Sequence, residues 1–275
     1  MILVNITTTS TRLDLCSATL WSLINQKIEE DYIINLWISK DAYLSDHGID
    51  FCPEFIEPLN DIKNIIRVRY TKNIGPYRKL IPCIREAMDD DIIVYADDDV
   101  IYSENWLNYL ITDFEGNNRQ VAIASRVRVF KKNIFGIQKG YFYSKIVYEN
   151  NILIKDFMIT GVGGVVVSRK LIREELLMND DFISIAPMTD DVWFTKLLNI
   201  SCVPVKVCID ALNSFYELSH DKYSLCSQNT TRNGFSGIFS KVDNLWGKII
   251  SYIGLCANNN DVAKKNVDIY FKNKK

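Results

Sequence analysis

None of the seven cysteines stands in a Cys-x-x-Cys pair, and their scatter matches no metal-binding spacing. That excludes a cysteine-rich zinc module and reads as reduced, mostly buried thiols of a cytosolic protein. No uncharged apolar run is long enough to span a bilayer, so no transmembrane segment is expected. The opening Met-Ile-Leu-Val-Asn-Ile has no basic n-region and no cleavage site, so no secretory leader is expected either. Positive charge is not in excess. A net charge of -2 disfavours general nucleic-acid binding. Neither an internal repeat nor a low-complexity segment occurs. Gly-x-Gly-x-x-Gly and Gly-Lys-Ser/Thr are also missing, which excludes the common glycine-rich phosphate loops.

What is present is a large core. The chain has 275 residues of which 48% are hydrophobic, enough for one large domain or two small ones. Its most informative stretch is Ile92–Ala96, an apolar run of strand length that ends in three carboxylates, Asp97, Asp98 and Asp99. A continuous apolar run suits a strand buried on both faces of a parallel sheet. Ligands of such sheets sit beyond the carboxyl ends of the strands. Three adjacent carboxylates repel one another unless cations, solvent or donors are near. They therefore suggest a divalent cation that holds an anionic ligand.

The remaining strands are predicted at Ile2–Ile6, Ile33–Ile38, Ile65–Tyr70, Val121–Ser125, Ile159–Ser168 and Val203–Ile209. Helical spacing of apolar residues follows Leu13, Leu80 and Trp106, the last with Ser103 as N-cap. This alternation argues for a doubly wound α/β sheet. The first strand runs into Thr7-Thr8-Thr9-Ser10-Thr11-Arg12. One hydroxyl would cap the next helix. Five in a row also fit a polar cradle for a base or phosphate, with Arg12 as counter-charge. Asp41 ends the second strand, either as an ordinary turn residue or on the sheet edge shared with Asp97. Gly75-Pro76-Tyr77-Arg78-Lys79 is a turn into a helix that Pro82 is expected to kink. Arg78 and Lys79 are either a solvated pair or lie near an anion. Residues 126–157, rich in Lys and aromatics, read as a long excursion with a mobile loop. Glycines within Ile159–Ser168 suggest close approach of a backbone or ligand. Thr189 would cap the helix begun by Asp190 and Asp191. These two acids either complement its dipole or include a general base. The segment Phe235–Leu255 is expected to dock as an amphipathic helix, and the basic tail from Lys264 to fray. Asp89–Asp91 reads as a solvated turn.

Taken together, these pieces resemble a bacterial glycosyltransferase of the GT-A type, close to the family 2 enzymes of polysaccharide and O-antigen assembly. The resemblance rests on the hydroxyl-rich end of strand one, the Gly-Pro-x-x-Lys turn, the apolar strand ending in Asp-x-Asp, the glycine-rich strand and the Asp190-Asp191 pair. It covers about residues 1–235. It implies a doubly wound mixed sheet, with residues 1–125 as a nucleotide-sugar-binding half, 126–235 as an acceptor half, and 236–275 as a C-terminal helical extension and basic tail. It further implies a nucleoside-diphosphate sugar donor, a Mn²⁺ or Mg²⁺ ion, and a glycan or lipid-linked glycan acceptor. Asp99 would hold the metal. Asp97 would share it or reach the ribose. Asp98 is placed with the donor-binding residues and has no distinct role. Thr8, Arg12 and Asp41 would line the nucleoside pocket, with Lys79 near the ribose or phosphate. Asp191 would be the general base of an inverting transfer, with Asp190 as its rival. Some relatives use a late histidine as metal ligand, a place His220 would fill. Many relatives carry Glu-Asp where this chain has Asp190-Asp191. A cytoplasmic enzyme of surface-polysaccharide synthesis is implied, with peripheral contact at the inner membrane face left open. The alternatives are a Mg²⁺-dependent nucleotidyltransferase or phosphotransferase, and a non-catalytic sugar-nucleotide-binding module.

Overall fold

The computed structural model describes residues 1–218 and 247–274. The strand segments expected in the N-terminal half form β1 (Ile2–Thr7), β2 (Tyr32–Ile38), β3 (Ile66–Tyr70), in which Arg67 and Arg69 alternate with apolar residues, and β4 (Ile92–Tyr95). They pair in parallel in the order β3-β2-β1-β4. The long strand β9 (Phe157–Val167) inserts antiparallel between β4 and β6 (Ala122–Val129), and β10 (Val205–Val207) joins β6 in parallel. Two short strands, β7 (Lys145–Ile146) and β8 (Ile152–Leu153), lie beside β6 and β10. A separate pair joins β5 (Val100–Tyr102) to β11 (Phe215–Glu217). The doubly wound mixed sheet expected from the resemblance is therefore present.

Alternate side chains of the central strands feed two cores, one on each face of the sheet, as the pleat requires. Ile2, Val4 and Ile6 of β1 join Ile34 and Val94 on one face, against Leu20 and Leu23 of α1 (Leu13–Ile24). The same face takes Ile56 of α2 (Ile56–Ile62) and Trp106 and Leu107 of α4 (Trp106–Gly116). On the other face, Trp37, Ile93 and Tyr95 pack with Ile84 of α3 (Ile81–Glu86). Leu177 of α5 (Glu174–Leu177), Phe182 of α6 (Phe182–Ile185) and Trp193 of α7 (Asp190–Ile200) complete that layer. A short α8 (Ile209–Leu212) leads into β11. One polar cluster interrupts the apolar runs. Asn5 Oδ1 accepts from Asn35 Nδ2 (3.1 Å) and Trp37 Nε1 (2.9 Å), while its amide nitrogen donates to Val94 O (3.3 Å). These buried bonds tie β1 to β2 and β4 and help pin their register, although Asn35 Oδ1 is left without a partner among the described residues.

Several local expectations give way. Pro82 does not kink a helix. Gly75–Lys79 is a 3₁₀ turn, Leu80 breaks from helical geometry, and Pro82 sits in the first turn of α3, where its missing N–H costs nothing. Asn105 takes the cap position of α4, and Ser103 contributes only its carbonyl, to the Trp106 N–H. Asp91 is no solvated turn residue. It is buried and accepts from the Met1 amine (3.2 Å) and the Met88 N–H (3.0 Å), whereas Asp89 and Asp90 are exposed. Cys52 and Cys202 are exposed rather than buried. The tail is not frayed either. A C-terminal helix, Asn259–Asn273, is capped by Asn258 and buries Ala263, Val267 and Phe271. Phe271 and Tyr270 lie against Trp193, with ring centroids 5.1 and 5.8 Å apart. The apolar i, i+4, i+8 positions outweigh the tail's basic composition. No helix among the described residues is long and apolar enough to cross a membrane.

Candidate active site

The site lies where the fold brings four chain segments to one edge of the sheet. β1 and β4 both end there, and β9, running antiparallel, begins there. The first turn of α7 points into the same place. This is the crevice beyond the carboxyl ends of the strands, beside the point where strand order reverses between β1 and β4. It forms a cavity of about 350 Å³ whose walls include Thr8, Arg12, Lys79, the Asp97–Asp99 triplet, Asp190 and Asp191.

The triplet is anchored before it is charged. The Asp97 N–H donates to Tyr102 Oη (3.2 Å), and that hydroxyl donates to Val162 O (2.8 Å). β5, just beyond, is tied to α1 through Val100 N to Thr19 Oγ1 (3.1 Å) and Tyr102 N to Ser22 Oγ (3.1 Å). The three carboxylates therefore project from a fixed corner and divide between two cations. Arg12 Nη2 meets Asp98 Oδ1 and Asp99 Oδ2, each at 2.7 Å. Lys79 Nζ bridges Asp97 Oδ1 (2.6 Å) and Asp190 Oδ2 (2.9 Å). Lys79 is buried. Burial opposes its charge, but Asp190, Asp97 and Asp191 outweigh it and hold the ammonium well above the ordinary lysine range.

The carboxylates differ in consequence. Burial pushes Asp97 up, but Lys79 and Arg12 carry it below the usual carboxylate range. Asp98, the most enclosed of the three, is driven up to about 6 by burial, with Asp99 adding to the rise against the pull of Arg12. Asp190 is raised by burial despite its bond to Lys79. Asp191 is driven up to about 7, first by burial and then by the charge of Asp190. One oxygen of Asp191 accepts the Gly161 N–H (2.9 Å), which fixes the carboxylate without a cation of its own.

Gly161 explains why glycine is needed in that strand. A Cβ at this position would stand 2.7 Å from Lys79 Nζ and 3.4 Å from Asp191 Oδ1. Lys79 is a flexible side chain, but two carboxylates pin its end. Gly161→Ala is therefore expected to cost about 1–3 kcal/mol through overpacking. The cost would be read as a lower denaturant midpoint. Gly116→Ala, at the end of α4 where a Cβ meets nothing within 4 Å, is the control expected to hold that midpoint or raise it slightly.

Not every expected residue is here. Asp41 is exposed and does not line the cavity; among the described residues its backbone alone is bonded, the carbonyl accepting from Asn73 Nδ2 (2.7 Å) and the N–H donating to Ser39 Oγ (3.2 Å). The carboxylate that turns inward from this loop is Asp46, five residues on. Asp46 is 3% exposed and pairs with Arg78 Nη2 at 2.9 Å; Arg78 itself is 1% exposed. Asp46 also accepts from Ser10 N (3.0 Å), Gly48 N (3.1 Å) and Asn73 Nδ2 (3.1 Å), and Arg78 donates to Thr8 O (3.0 Å) and Gly75 O (3.2 Å). The Arg78–Asp46 pair thus knits the hydroxyl-rich turn to the 3₁₀ turn as the floor of the cavity. Thr189 stands at the cap position of α7, yet its side chain makes no capping bond. His220 lies outside the described residues. The sequence reading also missed Arg126 and Glu217, which pair at 2.6 Å on the far wall, with Arg126 Nε donating to Thr160 Oγ1 (2.9 Å). Two arginines alternating along β6 were the available signal for the first. Glu217 had none.

The residues suit a hard divalent cation in donor chemistry. Four carboxylates pair here with Arg12 and Lys79, Asp191 stands beside them, and Asp97 and Asp99 border the open cavity. Among the described residues no three acidic, histidine or cysteine side chains converge on one point. The chain would therefore supply part of a coordination shell and leave the rest to a bound anion or water.

A family model for glycosyl transferase family 2 matches residues 6–177. Among solved structures, the chain is similar to S. aureus TarS residues 1–349, with 12% identity and a TM-score of 0.47 over 79% of this chain and 60% of that one. The same protein in complex with UDP gives 12% identity, a TM-score of 0.43 and the same coverage, 79% and 60%. The mannosyltransferase PcManGT from Pyrobaculum calidifontis, in complex with GDP-Man and Mn²⁺, gives 14% and 0.36 over 48% of this chain and 35% of that one. The chain thus spans less than two thirds of the solved chains it matches. A search of curated proteins returned no match.

Proposed function

Since the chain belongs to glycosyl transferase family 2, we propose that it transfers a sugar from a nucleoside-diphosphate donor bound in this cavity to an acceptor hydroxyl, with inversion. The observation that carries this reading is Asp191. It is a carboxylate fixed by a backbone N–H, driven up to about 7, on the same cavity as the Asp97–Asp99 corner. A base with that proton affinity is half-ready to accept a proton at neutral pH. Asp190 is the weaker candidate because Lys79 already holds its oxygen at 2.9 Å.

The chain's own groups divide the work. Asp191 takes the acceptor proton as the new bond to the sugar forms. Lys79 and Arg12 keep the crowded carboxylates apart and aligned. The Arg78–Asp46 pair shapes the wall that faces the nucleoside, alongside Thr8. When bound at Asp99 and Asp97, a Mn²⁺ or Mg²⁺ ion would stabilise the charge that develops on the departing diphosphate. The acceptor side falls to Arg126, Thr160 and Glu217, a polar wall that suits the hydroxyls of a glycan or lipid-linked glycan. This fits a role in surface-polysaccharide synthesis.

Calorimetric titration of a nucleotide sugar with Mn²⁺, and again with EDTA, tests the metal and donor assignments. Binding should require the metal and be lost in Asp99→Asn. Equal affinity in EDTA, or in Asp99→Asn, would remove Asp99 from that role.

A further inference from the structure

The surface beside the cavity carries a feature that sugar transfer does not use. Residues 131–139 form a tight hairpin, closed by the Lys132–Gln138 bridge and by Asn133 N to Ile137 O (2.8 Å). The Asn133 side chain accepts from Phe135 N (2.9 Å) and Ile137 N (3.0 Å), and Gly136 turns the chain at φ +76°. The tip is thus rigidly built, and what it presents is apolar. Ile134 is 82% exposed and Phe135 74%. Ile137 continues this surface and meets the segment around Gly254, where Ile249, Ile253 and Leu255 are also exposed. Asn133 Nδ2 donates to Tyr252 O (3.0 Å), and Gly140 N to Ser251 O (2.8 Å), so hairpin and segment are one surface.

Its charge is predominantly positive, with one exposed carboxylate, Asp156, held by Gln138 Nε2 (3.1 Å) at the base of the hairpin. From Arg126 to Tyr148 the chain carries two arginines and four lysines and no acid, in a protein of net charge -2. Lys131, Lys132 and Lys145 are exposed around the apolar tip, and Lys248 adds to them from the second segment. Residues 247–260 contain no acid at all. The hairpin also leads directly to the cavity wall. Tyr141, two residues beyond it, lines the cavity, and its N–H is held by Asp261 Oδ1 (2.7 Å).

We infer that this surface docks on an anionic lipid bilayer, with Ile134 and Phe135 inserting between headgroups and the lysines pairing with lipid phosphates. A large exposed apolar patch needs an occupant. A protein interface has a polar rim and typically buries about 800 Å² per partner. A narrow, protruding, lysine-collared tip fits a fluid headgroup layer better. Each lysine near an anionic surface strengthens binding, and apolar insertion adds to it. Docking there would turn the cavity mouth toward the bilayer, where a lipid-linked substrate would be presented.

Vesicle flotation of the full chain tests this independently of the donor reading. Wild type should float with phosphatidylcholine vesicles containing about 30% phosphatidylglycerol at least about tenfold better than with phosphatidylcholine alone. Raising NaCl to about 0.5 M should weaken this. Ile134→Glu with Phe135→Glu should remain in the unbound fraction, as should Lys131→Glu with Lys132→Glu. Both variants should keep the wild-type melting temperature and nucleotide-sugar affinity. Failure of wild type to float, or flotation of the tip variant equal to wild type, would overturn the inference. So would dimerisation of wild type in solution that the tip variant abolishes, since the occupant would then be a second copy. Donor titration on the same samples separates any of these outcomes from a failure of the transferase reading.

Discussion

Asp191→Asn is expected to lower kcat by about 10²–10⁴-fold, the usual contribution of a positioned general base. Donor affinity should be unchanged. The substitution is nearly isosteric, and the amide oxygen can still accept the Gly161 N–H that holds Asp191 at 2.9 Å. Only the capacity to take a proton is removed. The pH dependence gives a second, independent signature. A base must be deprotonated to act, and burial with the charge of Asp190 raises Asp191 to about 7. Wild-type kcat should therefore be level in mild alkali and fall as pH drops below about 7, tenfold per unit. Residual activity of Asp191→Asn should lack that limb. Asp190→Asn offers the contrast. It would free Lys79 from one partner while leaving the base in place, so its effect should be the smaller. Near-wild-type turnover by Asp191→Asn would move the base to Asp190.

Asp46→Ala should cost the fold about 3–5 kcal/mol, because it strands a buried guanidinium. Arg78 would lose its charged partner at 2.9 Å while remaining almost fully enclosed, and burial already disfavours its charge. Ser10 N, Gly48 N and Asn73 Nδ2 would lose an acceptor at the same time. At roughly 2–4 °C per kcal/mol for a chain approaching this size, the melting temperature should drop by about 10 °C. Asp41→Ala, on the same loop but exposed, should shift it by less than about 1 °C. Donor affinity should fall in Asp46→Ala and persist in Asp41→Ala. The pair of variants thus separates the inward-turned carboxylate from the one at the strand end.

The contrast between Asp41 and Asp46 also shows where sequence reading stops. The inner strands were legible because β1, β2 and β4 are largely apolar runs between turn residues, as buried parallel strands have to be. The edge strand β3 was legible because Arg67 and Arg69 alternate with apolar residues. The carboxylates at 97–99 and 190–191 were legible because each sits directly at the end of such an element, where chain direction fixes its place. Asp46 sits in an irregular loop. It faces inward only because Gly48, at φ +84°, turns the chain back and Asn73 meets it from another segment. No local pattern encodes that. Glu217 reaches the cavity through the pairing of β11 with β5, a contact of residues more than a hundred positions apart. Lys79 was read near the donor's ribose or phosphate; its bridge between Asp97 and Asp190 was not legible. That bridge exists only once α7 has docked. The C-terminal helix was read as frayed because its composition is basic. Its three buried apolar residues needed α7 as a partner before their spacing meant anything.

Donor turnover tests the central claim most directly. The full chain would be incubated with Mn²⁺ and a panel of UDP-, GDP- and dTDP-sugars, and free nucleoside diphosphate measured. Release from one nucleotide class, dependent on the metal and lost in Asp99→Asn, is the predicted result. Absence of both release and binding across the panel, from a protein that melts cooperatively, would contradict nucleotide-sugar transfer at this cavity.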